Sequence, residues 1–353
     1  MKQKRIGVFF CVLFFGYLLI GYPKIAADAA KGALTLCAET VIPSLFPFFV
    51  LSSFAVNTGF LSAAGNLISP VANVLFSVSG SGAAAFVTGL LCGSPTGAKT
   101  VAELYQKGMI EKEEGERLLG FCNNAGPVFI VGAVGKMLGD IRFGKTLLIV
   151  HIIASILTGM ILSVGHRKRR ETAKTTVLAV DFGDALTGAV NGSVKVMLNV
   201  CGYVVLFSVM IAFLRLFFLK MAMAPLIADV IGGVLEMTVG AKEICASGVE
   251  MPVKLILLSS ILGFGGLCVF CQGCSSISGT ELSVRTYFVG KLLQAGISAL
   301  LMKLFLDFRT KTGYASQDAG VLGAGLGICL LFFVAFLIVD KHVKNKYNRE
   351  NGR

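Results

Sequence analysis

The 353-residue chain predicts an all-α polytopic membrane protein, with about eight membrane-spanning helices and two re-entrant hairpins arranged as two inverted repeats. Three observations carry that prediction. Hydrophobic residues make up 55% of the chain and charged residues 15%, with a mean hydropathy of +0.79, whereas a soluble domain carries about a quarter charged residues. Apolar runs near the ~20 residues that cross a bilayer recur along the whole length. Finally, GLLCGSPTGAK (Gly89 to Lys99) is echoed by GGVLEMTVGAK (Gly232 to Lys242) at one offset, 240 − 97 = 143. A short apolar arm broken by Gly, Pro or Thr in each half is the pattern of duplicated transporters, whose interrupted segments form the binding site.

Taken in order, residues 1–24 form an N-terminal segment whose run 6–22 follows Lys2, Lys4 and Arg5. No small-residue cleavage site ends that run, so a retained anchor helix is expected rather than a signal peptide. The first repeat covers 25–164. It holds a span at 33–57, an interfacial helix at 59–78, a hairpin at 83–98, a solvated helical excursion at 99–119, and spans at 121–139 and 144–164. The hairpin arm 83–92 is too short to cross, and non-helical backbone at that depth is tolerated only where protein or a water-filled cavity covers it. A basic loop follows at 165–183. The second repeat, 184–306, holds a span at 184–212, a hairpin at 222–241, and spans at 253–273 and 287–306. A last span at 321–339 leads into a basic tail, 340–353.

The net charge of +12 collects beside the apolar runs, which orients membrane proteins with basic loops in the cytoplasm. It has no footprint of nucleic-acid binding. With the N-terminus inside, 165–183 and 340–353 also fall inside, while the loop after 139 and the one at 307–320 fall outside. Asp28 to Ala33 aligns with Asp184 to Ala189 at an offset of 156, so the step from 156 to 143 marks a 13-residue deletion in the second copy. The spans 33–57 and 184–212 then run in opposite directions, and the repeats are inverted.

The breaks are the candidate substrate site. Ser94, Pro95, Thr96 and Gly97 interrupt the first hairpin, and Thr238 and Gly240 the second. Pro lacks a backbone donor and Gly permits unusual dihedrals, which frees backbone groups to face a ligand. A half-helix that begins there favours an anion; the alternative is a kink satisfied by its neighbours. Asn123 and Asn124, ahead of Pro127, suggest a discontinuous helix with its amides turned to a cavity, or a cap at the membrane surface. Gly265 and Gly266 interrupt the equivalent region of the second half. Five charges are candidates for coupling or gating: Glu39, Lys195, Lys99, Lys242 and Glu236. Glu39 and Lys195 are equivalent positions of opposite sign within apolar spans, where a charge normally faces the bundle interior. Lys99 and Lys242 either snorkel to their own interfaces or lend positive potential to their own gates. His151 and Lys291, inside spans, are further candidates.

Most of the ten cysteines lie in apolar runs, where they act as small hydrophobic residues. CVFCQGC (Cys268 to Cys274) lacks the continuation of an iron–sulfur run. GSPTGAKT (Gly93 to Thr100) resembles a phosphate-binding loop but sits in no strand–helix unit. Three histidines leave little for hydrolase chemistry, so no enzyme activity, cofactor or metal is expected.

The runs Gly93 to Lys99 and Phe121 to Ala133 resemble the YlbJ (SpoVV)-type sporulation integral membrane proteins of the nucleoside-recognition (Gate) group, over approximately 25–340. That resemblance implies an architecture similar to concentrative nucleoside transporters. It also implies an outer forespore membrane location in a spore-forming bacterium and passage of dipicolinate towards the forespore. The Gln-Thr-Glu hairpin signature of nucleoside transporters is replaced here by Ser94, Pro95 and Thr96. The expected partners are a small anionic substrate and the lipid bilayer, with a homo-oligomer also open. The alternatives are a non-transporting scaffold or receptor for the spore envelope and a transporter of a nucleoside-like substrate.

Overall fold

Helices account for every regular element among the described residues of the computed structural model, which are 2–166 and 181–312. The expected span 321–339, the tail 340–353 and most of the loop 165–183 lie outside them. Helix α1 (Lys2–Gly21) coincides with the expected anchor. It touches the bundle through Phe15 on Phe213 and otherwise presents Phe10, Val12, Phe14, Tyr17 and Ile20 outward, the surface of a helix that faces lipid. Helices α2 (Pro23–Leu36) and α3 (Ile42–Asn57) form one span joined by a π-turn, Cys37–Val41. Pro43 explains the turn, since it lacks a donor and its ring crowds the carbonyl four residues back.

Helix α4 (Phe60–Phe76) exposes Phe60, Leu67 and Val71 on one side, as an interfacial helix would. Its second half, Leu67–Phe76, bends by 89° into α5 (Gly80–Cys92). Helices α6 (Thr96–Gln106) and α7 (Lys112–Cys122) follow, and the expected solvated excursion at 99–119 holds only in part: Gln106 to Gly108 and Glu111 to Glu113 are exposed, whereas most of α6 and the end of α7 are buried. Glu114 is 1% exposed and Arg117 5%, because both serve the α4–α5 bend. Glu114 Oε1 accepts from the Ser79 amide and hydroxyl at 2.7 Å each. Arg117 Nη2 donates to the Ser77 carbonyl at 3.0 Å, where Ser77 takes a left-handed φ of 51°. Two of the charges that read as a solvent face are internal staples, while Lys107, Glu111, Lys112 and Glu113 are exposed.

The expected span 121–139 is not continuous. Helix α7 stops at Cys122, residues 123–126 are non-helical, and a π-segment, Val128–Val134, leads into the short α8 (Gly135–Met137). Pro127 again stands at the start of the widened turn. The remaining elements are α9 (Ile141–Leu162), α10 (Phe182–Lys220), α11 (Pro225–Leu235), α12 (Met237–Ala246), α13 (Met251–Phe264), α14 (Gly266–Ser276) and α15 (Val284–Thr312). Both expected hairpins are therefore helix–break–helix units, α5–α6 and α11–α12. Each is followed by a helix that breaks, α7 before residue 123 and α13 at Gly265. Five segments among the described residues are long and apolar enough to cross a membrane, or six if the bent α4–α5 pair counts as one. That is fewer than the eight expected, because 121–139 is broken, 321–339 is outside the described residues, and only Val12–Gly21 of α1 registers as an apolar helix. The 13-residue deletion also has a location: nothing in the second half corresponds to α4, since α11 begins five residues after α10 ends.

Two packing units result. One contains α2, α3, α10 and the start of α14, around Cys37, Phe49, Val200, Val204 and Cys268. The other gathers α4 to α9 with α12, α13 and α15, and includes the ring cluster Phe76, Phe86 and Phe121 at centroid spacings of 5.0–5.3 Å. The repeated Leu-Gly-Phe sequences occupy equivalent crossings with α15. A Cβ on Gly120 would meet the Thr286 carbonyl at 3.2 Å, and one on Gly263 the Gln294 carbonyl at 2.9 Å. Gly290 of α15 packs directly on the Gly120 backbone, whereas nothing lies within 4 Å of Gly296 on the same helix. Gly290→Val is therefore expected to destabilise the protein by about 1–3 kcal/mol through overpacking, with Gly296→Val near neutral. Thermal unfolding of the two variants in detergent checks this.

Candidate functional site

The arms of each hairpin approach through glycine. A Cβ on Gly89 or Gly97 would run into the Cys122 carbonyl, and each of these glycines lies against the other's Cα. In the second hairpin Gly240 lies on the backbone of Gly232 and Gly233. This corrects the reason for Gly97 and Gly240, which sit inside α6 and α12 and allow close crossing rather than unusual dihedrals. Left-handed backbone occurs instead at Gly93 (φ 80°), Gly265 (85°) and Gly266 (82°), so the second-half break does fall on the two glycines expected to interrupt it.

Residues 123–126 leave helical geometry while buried, and most of their polar groups find partners. The Asn123 Oδ1 accepts from the Ala98 amide at 3.4 Å, in the first turn of α6, and its Nδ2 donates to Tyr287 Oη. Lys291 Nζ donates to the Asn123 carbonyl at 3.0 Å and to Gln294 Oε1 at 2.8 Å. Gln294 Nε2 in turn donates to Asn124 Oδ1 at 2.8 Å. Ser94 Oγ donates to the Asn124 carbonyl at 2.9 Å, and the Ala125 amide donates to His151 Nε2 at 3.2 Å. Asn123 and Asn124 are 1% and 0% exposed. Their amides are therefore not turned to a cavity, as expected, but are spent tying the break to α6, α7 and α15. Sequence reasoning missed Tyr287 and Gln294, although Tyr287, Lys291 and Gln294 fall at i, i+4 and i+7 on one face of an apolar helix, a legible polar stripe. Gln294 and His151 also stand at the repeat offset, 294 − 151 = 143, and both reach into the same break.

Between the two packing units lies a cavity of about 40 Å³, room for about three waters. One wall is Val41, Leu45, Val200 and Val204; the other brings together Ser94, Gly126, Glu236, Thr238 and Gln272. Ser94 and Thr238, read as parts of two separate breaks, thus face one space. Pro95 and Thr96 are buried directly behind Ser94. Glu236 is the break of the second hairpin: its Oε2 accepts from the Val239 amide at 2.6 Å and caps α12. Gln272, which the sequence reading did not single out, donates to Cys268 Sγ at 3.3 Å.

The remaining charges lie in two vestibules. Lys99, paired with Glu103 at 3.8 Å, faces Ser52, Asn57 and Gly188 in a space of about 190 Å³. Lys242 is exposed beside Asp28, Lys31 and Glu39 in a space of about 510 Å³. These are opposite ends of the α2–α3/α10 pair. Asn57 Nδ2 donates to the Ala185 carbonyl at 3.3 Å at one end, and Lys220 lies over the Tyr22 ring at the other. The lysines do not converge, in keeping with the reading that each serves its own interface or gate. Glu39 and Lys195 are both exposed rather than directed into the bundle, and no ion pair joins them among the described residues. The second hairpin is bolted by charge: Arg215 of α10 pairs with Asp229 of α11 at 2.6 Å and with Glu243 of α12.

Crossing helices, five of the described segments long and apolar enough to cross a membrane, and two broken hairpins define a polytopic integral membrane protein. The family described as nucleoside recognition (Gate) matches residues 38–167, from the first π-turn through α9, and so takes in hairpin one and the 123–126 break. The Bacillus subtilis (strain 168) protein named Sporulation integral membrane protein YlbJ is 30% identical over 342 residues, covering 86% of this chain and 84% of the relative. The chain belongs to that YlbJ family of sporulation integral membrane proteins. No solved structure matches it.

Removing the amine that holds the break has a defined cost. Lys291→Met leaves the Asn123 carbonyl and Gln294 Oε1 without their donor, and is expected to lower stability by about 1–3 kcal/mol. Chemical denaturation in detergent measures it, with Lys303→Met, on the exposed side of α15, as the neutral comparison.

Proposed function

We propose that this protein is a transporter or facilitator, not an enzyme, moving a small organic anion across the outer forespore membrane during sporulation. Dipicolinate is the substrate the family resemblance implies. The observation that carries this reading is the cavity at the seam of the two packing units, where both hairpin breaks meet. A vestibule leads towards it from each end. In the orientation expected from charge, Lys99 opens on the cytoplasm of the mother cell and Lys242 on the opposite side, as two inverted repeats would have it.

The closed cavity is far below the ~300 Å³ of a pocket that encloses a small organic ligand. Substrate must therefore enter by separation of the α2–α3/α10 unit from the hairpins. The hydroxyls of Ser94 and Thr238 and the amide of Gln272 are the groups that would meet it. The first turn of α6, begun by Pro95 without a side-chain cap of its own, supplies the partial positive charge for its carboxylates.

Purified protein in liposomes should take up labelled dipicolinate, and excess unlabelled nucleoside should not compete. Thr238→Val is expected to reduce uptake about tenfold or more by removing one hydroxyl from the cavity lining, with protein level unchanged. Asn123→Ala should lower both uptake and protein level, since that amide holds the break together. A wild-type rate in Thr238→Val would remove hairpin two from the site. The two-ended arrangement has its own check: cysteines placed at Lys99 and Lys242 should react with an impermeant thiol reagent from opposite sides of sealed vesicles.

A further inference from the structure

The central cavity has one ionisable side chain in its lining, Glu236, and that carboxyl is 1% exposed. It accepts the Val239 amide and is hydrogen-bonded by the Thr238 amide and hydroxyl, but among the described residues no Lys, Arg or His forms an ion pair with it. The titratable groups within its electrostatic reach are the thiols of Cys37 on the π-turn and Cys268 on α14, and the carboxyl of Glu243 two turns along α12. None of them brings a positive charge. Glu243 is itself occupied by Arg215. The N-terminus of α12 offsets part of a negative charge at Glu236, yet an ionised carboxylate sealed from water without a counter-charge is costly.

The two breaks are unequal in this respect. The position equivalent to Glu236 in the first half is Gly93 (236 − 143 = 93), so hairpin one carries no acid. An anionic substrate held at the neutral Ser94–Thr96 break would share the closed cavity with the Glu236 carboxyl, and two negative groups in a space this small repel strongly. A proton on Glu236 removes both costs at once. A metal cation suits the site less well, because it needs several oxygen ligands, carboxylates foremost, and Glu236 is the one carboxylate in the lining.

Resting on the transport reading above, we propose that Glu236 is the proton-carrying group of a proton-coupled anion transporter. The carboxylate takes a proton from water on the side where the site is open, and crosses the occluded state neutral beside the substrate. It returns the proton to water on the other side, so that one proton accompanies each turnover.

The test uses the full chain in liposomes with labelled dipicolinate, at clamped zero membrane potential. A gradient of one pH unit, acid on the side of entry, should drive about tenfold accumulation for one coupled proton, since a pH unit is worth about 1.4 kcal/mol. Glu236→Gln keeps an oxygen for the Val239 amide, and should lose gradient-driven accumulation while still exchanging internal for external dipicolinate. Glu236→Asp should restore the response to pH. Infrared difference spectra between acid and alkaline buffer should show a protonated-carboxyl band in the wild type that Glu236→Gln lacks, whether or not dipicolinate is moved. Accumulation by Glu236→Gln equal to wild type, absence of that band, or a sodium gradient that replaces the pH gradient would each overturn the proposal. Failure of the wild type to exchange dipicolinate at all, with the band present, would instead overturn the choice of substrate and the coupling built on it.

Discussion

A stretch of backbone that leaves the helix among apolar neighbours can place its amides and carbonyls only against the protein itself, because hydrocarbon offers them nothing. The segment 123–126 is where this chain meets that constraint. Its groups are taken up by Ser94, Ala98, His151, Tyr287, Lys291 and Gln294, which come from hairpin one, α9 and α15. Those partners explain why a lysine and a glutamine sit in the middle of an apolar helix. They also explain why α7 must come close enough to α15 for Gly120 and Gly290 to touch. The fold around the cavity is largely the means of closing this one account.

The same constraint is met differently in the second half, and the difference has functional weight. There the break after α13 is made by two left-handed glycines, which need no side-chain partners to turn the chain. The break in the second hairpin is made by an acid that caps the helix it begins. One half therefore supplies a neutral, hydroxyl-bearing break and the other a carboxyl, and both look into the same small space. Duplication accounts for the shared geometry; divergence at Gly93 and Glu236 sets the two breaks apart.

Much of the architecture was legible from pattern alone. The hairpins, their glycine-broken tips, the expected anchor and the Gly265–Gly266 interruption follow from apolar run length and from a repeat with a fixed offset. What could not be read was the sign of burial for polar residues. Glu114 and Arg117 lie in a segment as charged as any solvated loop, and only the bend at Ser77–Ser79 gives them internal partners. Asn123 and Asn124 were recognised as significant, but an amide near a cavity and an amide locked beside it have the same sequence. Glu39 and Lys195 illustrate the converse: equivalent positions of opposite charge within apolar spans suggest a buried pair, yet helix phase turns both outward.

The unequal connections at the hairpin bases carry one more consequence. Hairpin one is braced along its length by α4 through apolar contacts and by the Glu114 and Arg117 staples, whereas hairpin two, lacking that helix, is held to α10 by Arg215. Hydrocarbon contacts are indifferent to dissolved electrolyte; a half-exposed guanidinium clasp is not. Rising salt therefore weakens the hold on hairpin two and leaves the apolar packing of hairpin one as it was, an asymmetry between two otherwise like halves.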